Sequence, residues 1–136
     1  MLEVGTGLGY QAAVLGHIVQ QVHTIEILEP LCEGARTNLA DLGIDNVHVH
    51  CGDGYRGLPD HAPFDGILVA AAPDHVPQAL TEQLAVGAKL VIPVGPQIRG
   101  QDLLVITRTD AGLEHATIAP VRFVPMTGEA QDPNAR

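Results

Sequence analysis

The sequence predicts a doubly wound α/β domain, a mostly parallel sheet with helices on its faces and an antiparallel strand pair at its C-terminal end. Three observations predict it. Strand-like and helix-like segments alternate four times along the chain. Gly66-Ile67-Leu68-Val69-Ala70 and Leu90-Val91-Ile92 are continuously apolar, as parallel strands covered on both faces require. Near the end, residues 103–107 and 116–124 read as strands joined by the turn Asp110-Ala111-Gly112, with no helix between them, so they should pair antiparallel.

The elements follow in order. Met1-Leu2-Glu3-Val4 is a strand running straight into Gly5. After Tyr10, apolar Val14, Ile18 and Val22 recur every fourth residue with Leu15 and Val19 beside them, which predicts one face of a helix. Residues 23–27 form a short second strand. Pro30 suits the first turn of a second helix, lined by Leu31, Ala35, Leu39 and Leu42 and stopped by Gly43. Residues 46–51 are a third strand, and Val76, Leu80 and Leu84 define a helix between the fourth and fifth. Residues 1–126 therefore make one core, and 127–136 a loose tail.

Composition narrows the function. With 16 acidic against 7 basic residues the chain carries a formal charge of −9, and its cations form no stripe, so a phosphate backbone is an unsuitable partner. Four aromatic side chains, Tyr10, Tyr55, Phe64 and Phe123, make no stacking platform for single strands. No apolar run nears the roughly 20 residues that span a bilayer. Cys32 and Cys51 read as two packed or half-packed thiols, which fits a reducing cytoplasm. Oligomeric state is not readable.

Chemistry begins at Glu3-Val4-Gly5-Thr6-Gly7-Leu8-Gly9-Tyr10, a glycine-rich turn between the first strand and first helix. Glycines there let backbone approach a ligand, and the following helix offers free amides. A dinucleotide fingerprint would put its third small residue at position 10, where this chain has Tyr10. Glu3, at the mouth of the turn, would repel a pyrophosphate and attract the ammonium or sulfonium of S-adenosylmethionine.

Two more acids make a constellation. Glu26 ends the second strand about 20 residues beyond the glycines, where a carboxylate accepts hydrogen bonds from both ribose hydroxyls. Asp53, in Cys51-Gly52-Asp53-Gly54-Tyr55, ends the third strand and is placed to accept an adenine amino group, though a turn aspartate bonding its own backbone has the same local sequence. Three acids thus end three successive parallel strands. The fourth strand exits through Ala70-Ala71-Ala72-Pro73, where no side chain can hold an amine. An oxygen acceptor that already carries its charge is the simpler substrate.

Leu2-Glu3-Val4-Gly5-Thr6-Gly7-Leu8-Gly9-Tyr10-Gln11-Ala12-Ala13, Gly52-Asp53-Gly54, Ala62-Pro63-Phe64-Asp65, Ala71-Ala72-Pro73, Val91-Ile92-Pro93-Val94-Gly95 and Val121-Arg122-Phe123-Val124-Pro125 together resemble the protein-L-isoaspartate O-methyltransferase family, in order over nearly the whole chain. The resemblance implies a Rossmann-like class I methyltransferase that uses S-adenosyl-L-methionine to esterify the α-carboxylate of L-isoaspartyl residues in damaged proteins and peptides. By it, Glu3, Gly5, Thr6, Gly7 and Gly9 surround the methionine moiety, Glu26 takes the ribose, and Asp53 with Gly54 the adenine end. The methyl ester would close to a succinimide, whose hydrolysis returns some normal aspartate.

The departures are Leu8 for a small polar residue, Ala70 for a common Thr, and Ala88 for a second Gly after Gly87. The family's upstream segment, with its substrate-facing Ser or Thr, is outside this sequence. The expectation is therefore an N-terminally truncated chain, poorly active or inactive by itself, with the catalytic side chain unassigned. Alternatives are another small-molecule O-methyltransferase or an inactive fragment, while a nicotinamide dehydrogenase is disfavoured by Glu3 and Tyr10. His48, His50 and Cys51 look like zinc ligands by proximity, but on a strand Cys51 points away from the two histidines, so no metal is assigned. Cys51 as a nucleophile has no base placed beside it.

Overall fold

The structure is a computed structural model that describes residues 1–128. Its strands are β1 (Leu2–Val4), β2 (Val22–Glu26), β3 (Val47–Cys51), β4 (Phe64–Val69), β5 (Leu84–Val94), β6 (Gln101–Thr109) and β7 (Gly112–Val121). They form one sheet in the order β3-β2-β1-β4-β5-β6-β7. Strands β1 to β5 pair in parallel, while β5–β6 and β6–β7 are antiparallel. The predicted mixed architecture is therefore the observed one. The order reverses between β1 and β4, which opens a crevice at their carboxyl ends.

Among the described residues three helices, α1 (Tyr10–Gly16), α2 (Glu29–Asp41) and α3 (Gln78–Glu82), accompany the sheet, with 3-10 turns at Gly54–Arg56 and Pro59–His61. One sheet face packs Leu2, Val4, Ile67, Val69, Leu90 and Ile92 into the main core. Across the sheet, Ala12 of α1 and Leu39 of α2 meet Val22 and Val47.

Helix α1 is shorter than its periodicity predicts. Val14 and Ile18 are exposed, Val22 opens β2, and the one buried residue of the helix is Ala12. Asn46 supplies the reason: its side-chain amide donates to the carbonyls of Gly16 (2.7 Å) and Val19 (3.2 Å), taking up acceptors that a continuing helix would use itself. Helix α3 likewise stops before Leu84, which begins β5. There the Gln83 carbonyl accepts the Phe64 amide at 2.8 Å, and its side chain bonds Leu58 N and Arg56 O, drawing the chain into the sheet.

Cys32 and Cys51 form a disulfide, with Cα atoms 5.8 Å apart, rather than two thiols. A crossover helix runs antiparallel to the strands it joins, so the first turn of α2 lies beside the end of β3 and closes their separation in sequence. That pairing removes the free thiols on which the expectation of a reducing compartment rests. Among the described residues no helix is long and apolar enough to cross a membrane.

The last expected strand ends at Val121 instead of 124. Gln101 Oε1 accepts the Phe123 amide at 2.6 Å and turns the chain back over β4, where Ala72 exchanges backbone bonds with Val124 and Met126 at 2.8 and 2.9 Å. Most of the expected tail, residues 129–136, lies outside the described residues.

Candidate active site

Where the strand order reverses, a cavity of about 280 Å³ opens at the carboxyl edge of the sheet. Its floor is Val4 and Gly5 at the end of β1 with Ala70 and Ala71 after β4. One wall is Glu26 followed by Ile27, Leu28 and Leu31, and the opposite rim is the returning segment, residues 124–127.

Gly5 has φ +94 and Gly7 φ +56, conformations that favour glycine. They bend the chain so that Gly5 N donates to the Ile25 carbonyl (2.9 Å) and Gly7 N to Glu26 Oε2 (2.8 Å). A Cβ built on Gly7 would meet no protein atom within 4 Å, so the turn leaves open space at the cavity wall. Glu26 Oε1 accepts the Leu28 amide at 3.1 Å. Each of its oxygens thus has one bond and a lone pair left, which leaves capacity for two hydroxyl donors.

Glu3 is not at the mouth. It is fully buried beneath the turn, because residue 3 sits inside a three-residue strand with neighbours on both sides. Gln11 Nε2 donates to its Oε2 (2.9 Å) and Thr24 Oγ1 to its Oε1 (2.6 Å). Since Thr24 spends its hydrogen on Glu3, the hydroxyl of Thr6, 2.6 Å away, donates to Thr24. Burial pushes the Glu3 carboxyl above its ordinary value; Thr24 and Gln11 oppose the shift, and the negative charge of Glu26 adds to it.

The other expected residues separate. Gly54 lines the cavity, whereas Thr6 lies with Glu3 under the turn. Gly9, the N-cap of α1, faces Ala35 of α2 across a contact that admits no bulky side chain. Asp53 caps the first 3-10 turn by accepting the Tyr55 amide at 3.0 Å, the turn geometry its local sequence allows, and its carboxylate packs against Gly128. Sequence reasoning missed Thr24 and the rim at 124–127. The rim is held by the Tyr55 hydroxyl, which donates to the Met126 carbonyl at 3.1 Å. Burial, with Asp74 and Asp53 nearby, pushes that phenol up to about 12, so it stays a donor at neutral pH.

Among the described residues, Glu26 is the one ionisable side chain lining the cavity, and no Lys or Arg does. A ligand carrying a phosphate would meet a carboxylate and no counter-charge, whereas one with ribose hydroxyls and a cationic centre would be complemented.

The sequence profile of the protein-L-isoaspartate(D-aspartate) O-methyltransferase family matches residues 1–131. The chain belongs to this family. A protein-L-isoaspartate O-methyltransferase of Gloeobacter violaceus is 50% identical over 129 residues, 95% of this chain and 63% of that protein. A solved protein-L-isoaspartate O-methyltransferase superposes with a TM-score of 0.88 at 35% identity, covering 93% of this chain and 41% of that one. A second solved relative, from Plasmodium falciparum and in complex with S-adenosyl-L-homocysteine, gives 0.78 at 25% identity, covering 93% and 64%. The fold of this protein-L-isoaspartate(D-aspartate) O-methyltransferase family member is thus that of the class I methyltransferases, and the chain spans less than two-thirds of the relatives it matches.

Proposed function

We propose that this chain is the donor-binding core of an enzyme that transfers a methyl group from S-adenosyl-L-methionine to the α-carboxylate of L-isoaspartyl residues in proteins and peptides. The observation that carries the reading is the cavity at the strand switch point, lined by the glycine turn and with Glu26 as its sole charge among the described residues. Family membership supports the substrate class.

S-adenosylmethionine would supply a sulfonium methyl: a substrate carboxylate oxygen would attack that carbon in line, the C–O bond forming as the C–S bond breaks, and S-adenosylhomocysteine would leave with the electron pair. Glu26 would accept both ribose hydroxyls through its remaining lone pairs. Asp53, with Gly54 beside it, would accept the adenine amino group once Gly128 makes room. Gly5 and Gly7 would present backbone to the methionine moiety, while Thr6 and Gly9 hold the turn's shape. Glu3, beneath the turn, would act on the positive centre through its field.

A substrate carboxyl with a pKa near 3.9 is already ionised at neutral pH, so no general base is required. That fits Ala70 and Ala71, which offer the acceptor no proton-handling side chain. Catalysis would consist of holding oxygen, methyl and sulfur in line at about 3 Å with water excluded. The rim at 124–127 is the element placed to exclude it.

The test is transfer of labelled methyl from S-adenosylmethionine to an isoaspartyl peptide and to the same peptide with normal aspartate. Slow transfer confined to the isoaspartyl peptide is expected. Equal labelling of both, or preferential labelling of the normal peptide, would overturn the substrate assignment.

A further inference from the structure

On the sheet face away from α1 and α2, and outside the cavity, four histidines gather at the β2–β3 edge. His23 of β2 lies with its Nδ1 3.0 Å from Nε2 of His50 on β3. His61, ending the 3-10 turn Pro59–His61, stacks on His23 with ring centroids 4.0 Å apart and stands 5.4 Å from the His50 ring. His48 stacks on His23 at 5.0 Å, but its Nε2 is engaged with Gln21 Oε1 at 2.7 Å.

We propose that His23, His50 and His61 form a site for a divalent transition cation of the zinc class. One ring nitrogen from each of the three lies within 4.8 Å of those of the other two. Two nitrogens on a tetrahedral ion, each at about 2.05 Å, stand about 3.3 Å apart, so ring rotation, chiefly of His61, is the movement that would bring the set to bonding geometry. His61 is exposed and free to make that rotation, whereas His23 and His50 are half-buried and held on paired strands. Three neutral imidazoles suit zinc, copper or nickel and not the oxygen-seeking magnesium or calcium. An exposed third ligand leaves the fourth position to water.

Of the two histidines that lie close in sequence, His48 and His50, one contributes a ligand, and the others come from β2 and from a turn beyond β3. Their convergence depends on the parallel register that sets Ile25 beside His50 and His23 beside His48. The second cluster with ligand spacing, Cys32, Glu33 and Cys51, has both sulfurs engaged in the disulfide. A bound ion would clip the 3-10 turn to the β2–β3 edge.

Calorimetric titration of Zn²⁺ into the oxidised chain tests the site, with Mg²⁺ as the control cation. One equivalent of Zn²⁺ should bind and Mg²⁺ should give no heat. His61→Ala, exposed and outside the core, should keep the wild-type circular dichroism and weaken Zn²⁺ binding at least tenfold. His115→Ala, on β7 away from the cluster, should change nothing. A Co²⁺ absorption spectrum of four-coordinate form should appear with the wild type and be lost with His61→Ala. Absence of Zn²⁺ binding, or equal affinity in His61→Ala and wild type, would overturn the proposal.

Discussion

Glu26 Oε2 accepts the backbone amide of Gly7 at 2.8 Å, so the carboxylate that ends β2 is latched to the turn that follows β1. The latch joins two segments far apart in sequence and fixes the carboxylate at the cavity wall with lone pairs to spare. A single side chain thereby orders the turn and offers itself to a ligand.

Replacing Glu26 by Ala should weaken binding of S-adenosylhomocysteine by about 2–4 kcal/mol, because two charge-assisted bonds and the Gly7 latch go together. Glu26→Gln, which keeps an acceptor but no charge, should fall between. Calorimetry reads both, and unchanged affinity in the Ala variant would remove Glu26 from the ribose assignment.

Glu3 carries a pH signature. Its folded-state carboxyl titrates above the ordinary value of 4.5, so the fold favours its protonated form. The group's favourable contribution is complete below that value and is lost as pH rises through the folded pKa. Glu3→Gln, with Gln11 and Thr24 able to reorient, should therefore gain stability relative to wild type as pH rises from the mildly acidic range to neutral. Urea melts at several pH values check this; a difference independent of pH would mean that the buried carboxylate costs nothing.

Thr24→Val keeps shape and deletes the hydroxyl that serves Glu3 and Thr6 at 2.6 Å each. The loss of a hydrogen bond to a buried carboxyl should cost about 1.5–3 kcal/mol in denaturant melts, and Thr24→Ser should recover most of it. Equal melts for Val and Ser would show that the hydroxyl chain is not stabilising.

Gly54→Ala would drive a methyl into Val4 Cγ1 and to 3.2 Å from Met126 Cε, at the meeting point of β1 and the cavity rim. Overpacking of this kind costs about 1–3 kcal/mol. The Ala variant should lose stability and ligand affinity together, and a variant as stable as wild type would show that β1 can shift.

The site was legible where a local pattern carries it. The glycine turn is visible because Gly5 and Gly7 need positive φ, and Glu26 because the end of an apolar strand is a fixed distance from that turn. Thr24 was hidden because a buried hydroxyl inside a strand looks like any β-branched residue until its partners are placed. The rim at 124–127 owes its position to Gln101 and Tyr55, remote in sequence, and no local signal announces it. The helical spacing of Val14 and Ile18 predicts a longer α1 than the structure has, because the side chain that ends the helix belongs to the remote Asn46. The disulfide has no local signature for the same reason: only the crossover of α2 onto β3 brings Cys32 to Cys51.

On the proposed reading, the cavity selects an S-adenosyl ligand over a dinucleotide because its one charge among the described residues, Glu26, is negative. The most direct test is parallel calorimetric titration of S-adenosylhomocysteine and NAD into the wild-type chain. One equivalent of S-adenosylhomocysteine should bind, and NAD should give no saturable heat. Saturable NAD binding, or none by S-adenosylhomocysteine, would contradict it.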